Sequence, residues 1–94
     1  MSENMYFQPE HRPRLNPTYV FRWEKSQDTF VLLYPEGIVK LSASASEILK
    51  RCTGESTVAD IVAELKDLFV DAADIERSIH RFLEVSHVKG WIGN

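Results

Sequence analysis

Few residues of this 94-residue chain could do chemistry, and the most regular group is His80, Glu84 and His87. Their spacing places them along one face of a helix, where imidazole and carboxylate groups could ligate a metal ion. The two histidines would lie about 10.5 Å apart along the helix axis, because each residue adds about 1.5 Å of rise. That separation is too large for one shared ion without a ligand from another element. The sequence therefore predicts no metal site.

Cys52 is the single cysteine and the one candidate nucleophile. It follows the apolar stripe of a predicted helix, and a lone cysteine in that position is typically a small buried hydrophobe. The four glycines are scattered along the chain and form no phosphate-binding loop. We therefore expect no catalysis by this chain and no cofactor.

The overall charge argues against two classes of partner. The chain has 11 basic and 14 acidic residues, a net charge of −3, with no basic stripe of the kind that phosphate backbones require. No apolar run approaches the roughly 18 residues of a membrane span, and the N-terminus lacks the pattern of a signal peptide. We expect a cytoplasmic protein that binds neither nucleic acid nor membrane.

A β-hairpin is predicted at the centre of the chain, over Thr29–Leu41. The apolar run Phe30–Tyr34 is typical of a buried strand, and Pro35 favours a turn. A three-residue connection closed by a left-handed Gly37 would lead into the return strand Ile38–Leu41. Upstream, alternating apolar residues predict a further strand, so the sheet has three antiparallel strands. The return strand would be an open edge that can accept another chain's strand.

Three helices are predicted in the remainder, beginning at Ser44, at Thr57 and at either Asp71 or Asp74. The start of the first helix is predicted from a capping box that Ser44 would form with Glu47. The third helix should end at Gly90, with Trp91 folding back onto its last turn. Three strands followed by three helices predict an α+β domain of the winged-helix type.

The proline-rich residues 1–17 predict a flexible N-terminal arm, and residues 18–94 the domain itself. Within the arm, Glu3–Gln8 is similar to a protease cleavage sequence from an expression tag.

Two alternatives concern other partners. The open edge could pair with itself, or the hairpin could swap, giving a structural homodimer instead of a monomer. A winged-helix DNA-binding protein would use the turn as its wing, but that turn carries Glu36 and no basic residue. Glu76 and Glu84 also offset the arginines of the third helix, so its charge does not favour phosphate.

The segment Leu33–Gly37, followed by Lys40 and Leu41, closely resembles the PqqD family. The resemblance continues through further positions up to the C-terminus: Ile48, Leu49, Gly54, Val58, Ile61, Val62, Leu65, Phe82, Leu83, Gly90, Trp91 and Ile92. One departure is Ser42–Ser46, where the family usually has Asn or Asp.

The resemblance implies a peptide chaperone of pyrroloquinoline quinone (PQQ) biosynthesis with no chemistry of its own. Such proteins bind the precursor peptide PqqA and present it to the radical S-adenosylmethionine enzyme PqqE. In related recognition domains the peptide adds as a strand beside the third strand, in a groove with the third helix. Carried onto this sequence, the peptide-binding residues would be Ile38, Val39, Lys40, Leu41, Arg77, Ser78, Arg81, Phe82 and Val85.

Overall fold

A computed structural model describes residues 7–93, which form five strands and three helices. The strands are β1 (Arg14–Leu15), β2 (Val20–Glu24), β3 (Thr29–Tyr34), β4 (Gly37–Lys40) and β5 (Ile92–Gly93). The helices are α1 (Ala43–Lys50), α2 (Val58–Leu68) and α3 (Ile75–Val88). The predicted α+β architecture, a three-stranded antiparallel sheet followed by three helices, is confirmed.

The three-stranded sheet has the order β2-β3-β4, with antiparallel neighbours throughout. Directly opposite residues share a face of a sheet, so the register defines two faces. The cross-strand row Phe21, Leu32 and Val39 packs toward the helices. The opposite face carries the row Val20, Leu33 and Ile38. The helices therefore cover one face of the sheet.

The turn of the hairpin is tighter than the sequence predicted. Tyr34 pairs with Gly37, so Pro35 and Glu36 form a two-residue connection. Gly37 belongs to β4, and its φ is not positive, unlike those of Gly54 and Gly90. The predicted three-residue connection with a left-handed Gly37 is therefore wrong, because proline already supplies the first corner of the turn.

The first helix begins earlier than predicted. Ser42, and not Ser44, is the N-cap of α1, and its hydroxyl oxygen accepts the Ala45 N–H at 3.1 Å. Ser42 has the extended backbone of an N-cap residue. Glu47 does not close a capping box with Ser44; its carboxylate pairs with Arg51 at 2.9 Å.

The second helix begins as predicted. The Thr57 hydroxyl accepts the Asp60 N–H, and the Asp60 carboxylate accepts the Thr57 N–H, each at 3.0 Å. This reciprocal capping box satisfies two backbone donors at the start of α2. The helix then buries one apolar stripe, formed by Val58, Ile61, Val62 and Leu65.

The third helix starts after Asp74, one of the two predicted positions, and ends at the predicted glycine. Gly90 has φ +84, and the Trp91 N–H donates to the Ser86 carbonyl at 2.9 Å. This is the hydrogen bond of a Schellman motif. The Trp91 ring folds back along α3 and lies 6.4 Å from that of Phe82, which is six residues before the end of the helix and therefore beyond the predicted last turn.

Residues 7–17 differ from the flexible arm that the sequence predicted. Phe7 is only 1% exposed and belongs to the hydrophobic core, and β1 pairs with β5 near the C-terminus. The carbonyls of Pro9 and His11 accept the N–H groups of Ala59 and Val58 at the start of α2. The first N–H groups of a helix have no acceptor within it, so residues 7–17 provide the acceptors for these two donors of α2. Most of the tag-like stretch Glu3–Gln8 lies outside the described residues.

The core lies between the sheet and the helices, with α2 and α3 as its main walls. Among its members are Leu32, Leu41, Ile48, Leu49, Ile61, Leu65, Ile79, Leu83 and Ile92. Burial of this set holds α3 in place beside the sheet.

Candidate functional site: an open strand edge beside an apolar groove

Within residues 7–93, β4 has a neighbour on one side only, namely β3. The Leu41 N–H donates to the Phe30 carbonyl at 3.0 Å, which makes these two residues a hydrogen-bonded pair. Such pairs recur every second residue in an antiparallel ladder. The polar backbone groups of Leu41 and Val39 therefore point toward β3.

The backbone groups of the intervening residues, Ile38 and Lys40, point the other way, toward the open edge. Both side chains are exposed, that of Ile38 by 53%, on the face of the sheet away from the helices. Val39 is half-buried against the core and Leu41 is buried. The edge therefore offers two N–H donors and two carbonyl acceptors to an extended chain.

An apolar groove of about 310 Å³ continues from the C-terminal end of β4. Its walls come from the start of α1, the end of α2 and one side of α3. The lining residues are Ser42, Ser44, Ala45, Ile48, Leu65, Phe69, Ile75, Ser78, Ile79, Arg81, Phe82 and Val85. Aliphatic and aromatic side chains dominate, with serines and one arginine as the polar members. Such a surface suits apolar side chains of a ligand and offers a few polar contacts for orientation.

Four of the residues predicted on the third helix line this groove: Ser78, Arg81, Phe82 and Val85. Arg77 is exposed and lies outside the lining, one turn before Arg81. The strand residues Ile38 to Leu41 form the adjacent edge and do not line the groove itself. The strand edge leads directly into the groove, because Ser42, which follows Leu41 in the chain, is one of the lining residues.

Sequence reasoning missed the wall of the groove that α1 provides. Ser42, Ser44 and Ala45 line this wall. Small side chains here keep the groove open between α1 and α3. The Ser42–Ser46 run, where the resembled family usually has Asn or Asp, was the available signal.

The polar residues Arg77, His80, Arg81 and Glu84 recur along one stripe of α3, and the members of this stripe have two different surroundings. Arg81 is exposed and borders the groove, whereas Glu84 is half-buried and accepts the Phe7 N–H at 2.9 Å. His87 packs edge-on against the Phe7 ring, with centroids 5.6 Å apart. Only the arginine side of the stripe is therefore placed to meet a ligand in the groove.

Cys52, the candidate nucleophile, is a buried part of the core. Burial raises the pKa of the Cys52 thiol to about 12, and its sulfur lies 3.4 Å from the Ile48 carbonyl oxygen. The residue is 3% exposed, as predicted for a small buried hydrophobe. Among residues 7–93, no group of three or more His, Cys, Asp or Glu side chains is arranged to hold a metal ion.

None of the helices in the described part of the chain has the length and apolar character to cross a bilayer.

The fold is that of a small recognition domain. The solution structure of the PqqD truncation of Methylobacterium extorquens PqqCD superposes with a TM-score of 0.77 at 27% identity. The match covers 96% of this chain and 97% of the Methylobacterium chain. The Methylobacterium protein represents a functional, stand-alone recognition element for ribosomally synthesized and post-translationally modified peptides.

The family follows from the sequence comparisons. The family model for coenzyme PQQ synthesis protein D (PqqD) matches residues 29–92. A PqqA binding protein of Pseudomonas aeruginosa is 49% identical over 80 residues, which is 85% of this chain and 87% of the relative. One from Azotobacter vinelandii is 44% identical over the same shares of both chains. The chain therefore belongs to the PqqD family, which comprises binding proteins and not enzymes.

Proposed function

We propose that this chain is a peptide chaperone of PQQ biosynthesis. It binds the PqqA precursor peptide and presents it to the radical S-adenosylmethionine enzyme PqqE. The peptide docks as a fourth strand along β4, with alternate side chains directed into the groove beside α3. The observation that carries this proposal is the open edge at Ile38 and Lys40, next to an apolar groove that no described residue fills.

Strand addition divides the work of recognition between backbone and side chains. The outward N–H and C=O groups of Ile38 and Lys40 supply affinity for any extended chain. Choice of peptide comes from the groove, because every second side chain of the added strand points toward it. Apolar residues of the peptide would contact Phe82 and Val85 there, both of which line the groove.

The names of the relatives support the peptide as ligand. Proteins from Pseudomonas, Azotobacter and Acinetobacter that share 42–49% identity with this chain are called PqqA binding proteins. The family model matches residues 29–92, which include both β4 and α3. The two halves of the proposed site thus lie within the shared region.

The basic side chains around the site favour an acidic peptide, because the Glu84 carboxylate is turned away to accept the Phe7 N–H. Lys40, Arg77 and Arg81 are all exposed near the edge and the groove, although the chain as a whole has a net charge of −3. Local positive charge steers an acidic ligand and fixes its direction, with a larger effect on association rate than on affinity. Arg81→Ala should therefore slow peptide association, and added salt should reduce the difference from wild type.

Proline at position 40 tests strand addition directly. Lys40→Pro removes an outward N–H and leaves the ladder between β3 and β4 intact, since the bonded residues are Val39 and Leu41. We expect Lys40→Pro to weaken binding of a synthetic PqqA peptide by about tenfold or more. The variant loses one backbone hydrogen bond to the peptide, and the proline ring obstructs the approach of the peptide strand. Lys40→Ala is the matched control, since it removes the charged side chain and keeps the donor.

The measurement is calorimetric titration of both variants, with the amide spectrum as a check on folding. Weak binding by Lys40→Pro alone supports strand addition at this edge. Equal affinity of a folded Lys40→Pro variant and wild type would refute it. An equal loss in both variants would assign the contact to the lysine side chain instead.

Presentation to PqqE makes a separate prediction. If the chain hands the peptide over as a complex, PqqE should bind the peptide-loaded chain without displacing the peptide. Sedimentation with fluorescently labelled peptide would then show a three-component species. Release of the label when PqqE is added, with no such species, would contradict presentation and leave peptide binding untouched.

A further inference from the structure

Residues 7–13 form a strap that ties the start of α2 to the second half of α3. The Phe7 side chain is 1% exposed, and its ring meets that of His87 on α3 edge-on, with centroids 5.6 Å apart. The carbonyls of Pro9 and His11 accept two N–H groups at the start of α2, at 3.0 and 2.8 Å. The residues that line the apolar groove all lie between positions 42 and 85, so the strap is outside the groove. It can influence a ligand there only through the helices.

The strap holds the carboxylate of Glu84. The Phe7 N–H donates to Oε2 of Glu84 at 2.9 Å, and Glu84 is half-buried at this contact. None of the salt bridges among residues 7–93 involves Glu84. Hydrogen bonds from an N–H group to an ionised carboxylate are among the stronger kinds, so this contact fixes the direction of the Glu84 side chain.

Arg81 is the residue that benefits from this arrangement. It precedes Glu84 by three positions, the spacing at which opposite charges on a helix attract each other. Among the residues three or four positions from Glu84, Arg81 is the one that always carries a charge. Its side chain is exposed and lines the groove, and none of the salt bridges in the described part of the chain includes it. Arg81 is therefore left for a ligand.

The other glutamate of α3 is also held away from the groove. Glu76 pairs with Lys66 on α2, with 3.1 Å between Nζ and Oε1. Both carboxylates of the helix thus have partners outside the groove, whereas Arg77 and Arg81 are exposed beside it. The side of α3 that faces a ligand is consequently basic.

We propose that the strap makes the groove selective for acidic peptides. By holding the Glu84 carboxylate, the Phe7 N–H leaves Arg81 to pair with a carboxylate of the ligand. Phe7 is thus a positioning residue, which acts through Glu84 and does not touch the peptide. If the strap contact is lost, Glu84 becomes an internal competitor for Arg81. This inference rests on the proposed peptide function and adds to it a determinant of specificity outside the groove.

Three variants of Glu84 separate its charge from its hydrogen bond. Glu84→Gln removes the charge and keeps an oxygen that accepts the Phe7 N–H. Glu84→Asp keeps the charge on a side chain one methylene shorter, which should not reach the strap. Glu84→Ala removes both. The Phe7 amide proton reports the bond in NMR spectra, since it should exchange slowly in wild type and Glu84→Gln and faster in the other two. Thermal denaturation checks that each variant is folded.

The expected effect is on the association rate of an acidic peptide. Glu84→Asp should bind a synthetic PqqA peptide about twofold more slowly than wild type at low salt, because its released carboxylate pairs with Arg81. Glu84→Gln and Glu84→Ala should keep the wild-type rate to within about 1.5-fold. The deficit of Glu84→Asp should vanish in about 0.5 M salt, which screens exposed charges. It should also vanish with a peptide whose acidic residues are replaced by their amides.

Stopped-flow fluorescence with a labelled peptide measures these rates. Slow association of Glu84→Asp alone, at low salt only, supports the proposal. Equal slowing of Glu84→Asp and Glu84→Ala at every salt concentration overturns it, because the strap contact would then serve only to hold α3 in place. Faster association of Glu84→Gln and Glu84→Ala also overturns it, since the wild-type carboxylate would then already repel the peptide. A wild-type chain that binds no peptide refutes the proposed function itself, whereas the other outcomes leave peptide binding intact.

Discussion

Phe7 provides the most informative test of the fold, because it lies outside the region that the family model matches. Its side chain is 1% exposed and contacts the core, and its ring meets the rings of His11 and His87 edge-on. Truncating a fully buried phenylalanine to alanine costs about 3–5 kcal/mol of unfolding free energy. A domain of this size has about 5–15 kcal/mol in total.

Phe7→Ala should therefore lower the melting temperature by at least about 12 °C, since 1 kcal/mol corresponds to about 4–8 °C in a domain of this length. Urea denaturation followed by circular dichroism gives the free energy, provided that the transition is two-state. Val70→Ala is the control for losing an apolar side chain, because Val70 is 75% exposed, and it should change stability by no more than about 0.5 kcal/mol.

A Phe7→Ala variant within about 0.5 kcal/mol of wild type would refute this reasoning. Residues 7–17 would then be an appendage to the domain, as the prolines had suggested. Intermediate loss in Phe7→Leu would support the burial argument further, because leucine refills part of the space.

Three further predictions follow from buried or capping groups. Ser86 is fully buried and its hydroxyl has no partner among residues 7–93, so Ser86→Ala should keep or raise stability in urea; a loss above about 1 kcal/mol would contradict this. Hydrogen bonds from Thr57 lower the pKa of Asp60 below its ordinary 3.8. The stability that this carboxylate contributes is present above pH 3.8 and is lost as the pH falls through its folded-state pKa. Acid titration should then cost wild type more stability than Asp60→Asn, and equal losses would rule out the cap. Cys52, with its pKa raised to about 12, should react with iodoacetamide far more slowly in the native chain than in urea, unlike an accessible thiol.

Local patterns were enough to predict most of the domain. The apolar spacing from Val58 to Leu65 and the Thr57 cap located α2, because both depend on residues within two turns. Gly90 and Trp91 marked the end of α3 for the same reason. The alternation in β2 and the apolar run in β3 likewise gave the sheet.

The errors concern interactions between distant parts of the chain. The place of Phe7 in the core depends on contacts with α3, 77 residues away at Glu84, which no local pattern records. The pairing of β1 with β5 likewise joins the two ends of the described chain. Prolines in residues 7–17 indicated an extended backbone. An extended backbone is compatible both with a flexible arm and with a segment packed on the core.

The candidate site could be predicted only in part, because some of it also depends on contacts between distant parts of the chain. The edge at Ile38 and Lys40 follows from the hairpin alone, and helical spacing brings Ser78 and Phe82 to one side of α3. The wall formed by α1 depends on how three helices meet, so Ser42 and Ala45 were not foreseen. Which backbone groups of β4 point outward also depends on the register.

An amide NMR titration of the full chain with a synthetic PqqA peptide tests the proposed function most directly, with a short DNA duplex as control. Shifts should concentrate on Ile38–Leu41 and on the groove side of α3, at Ser78, Arg81, Phe82 and Val85. DNA should leave these signals unchanged. Shifts confined to other surfaces, or none at saturating peptide, would contradict docking along β4.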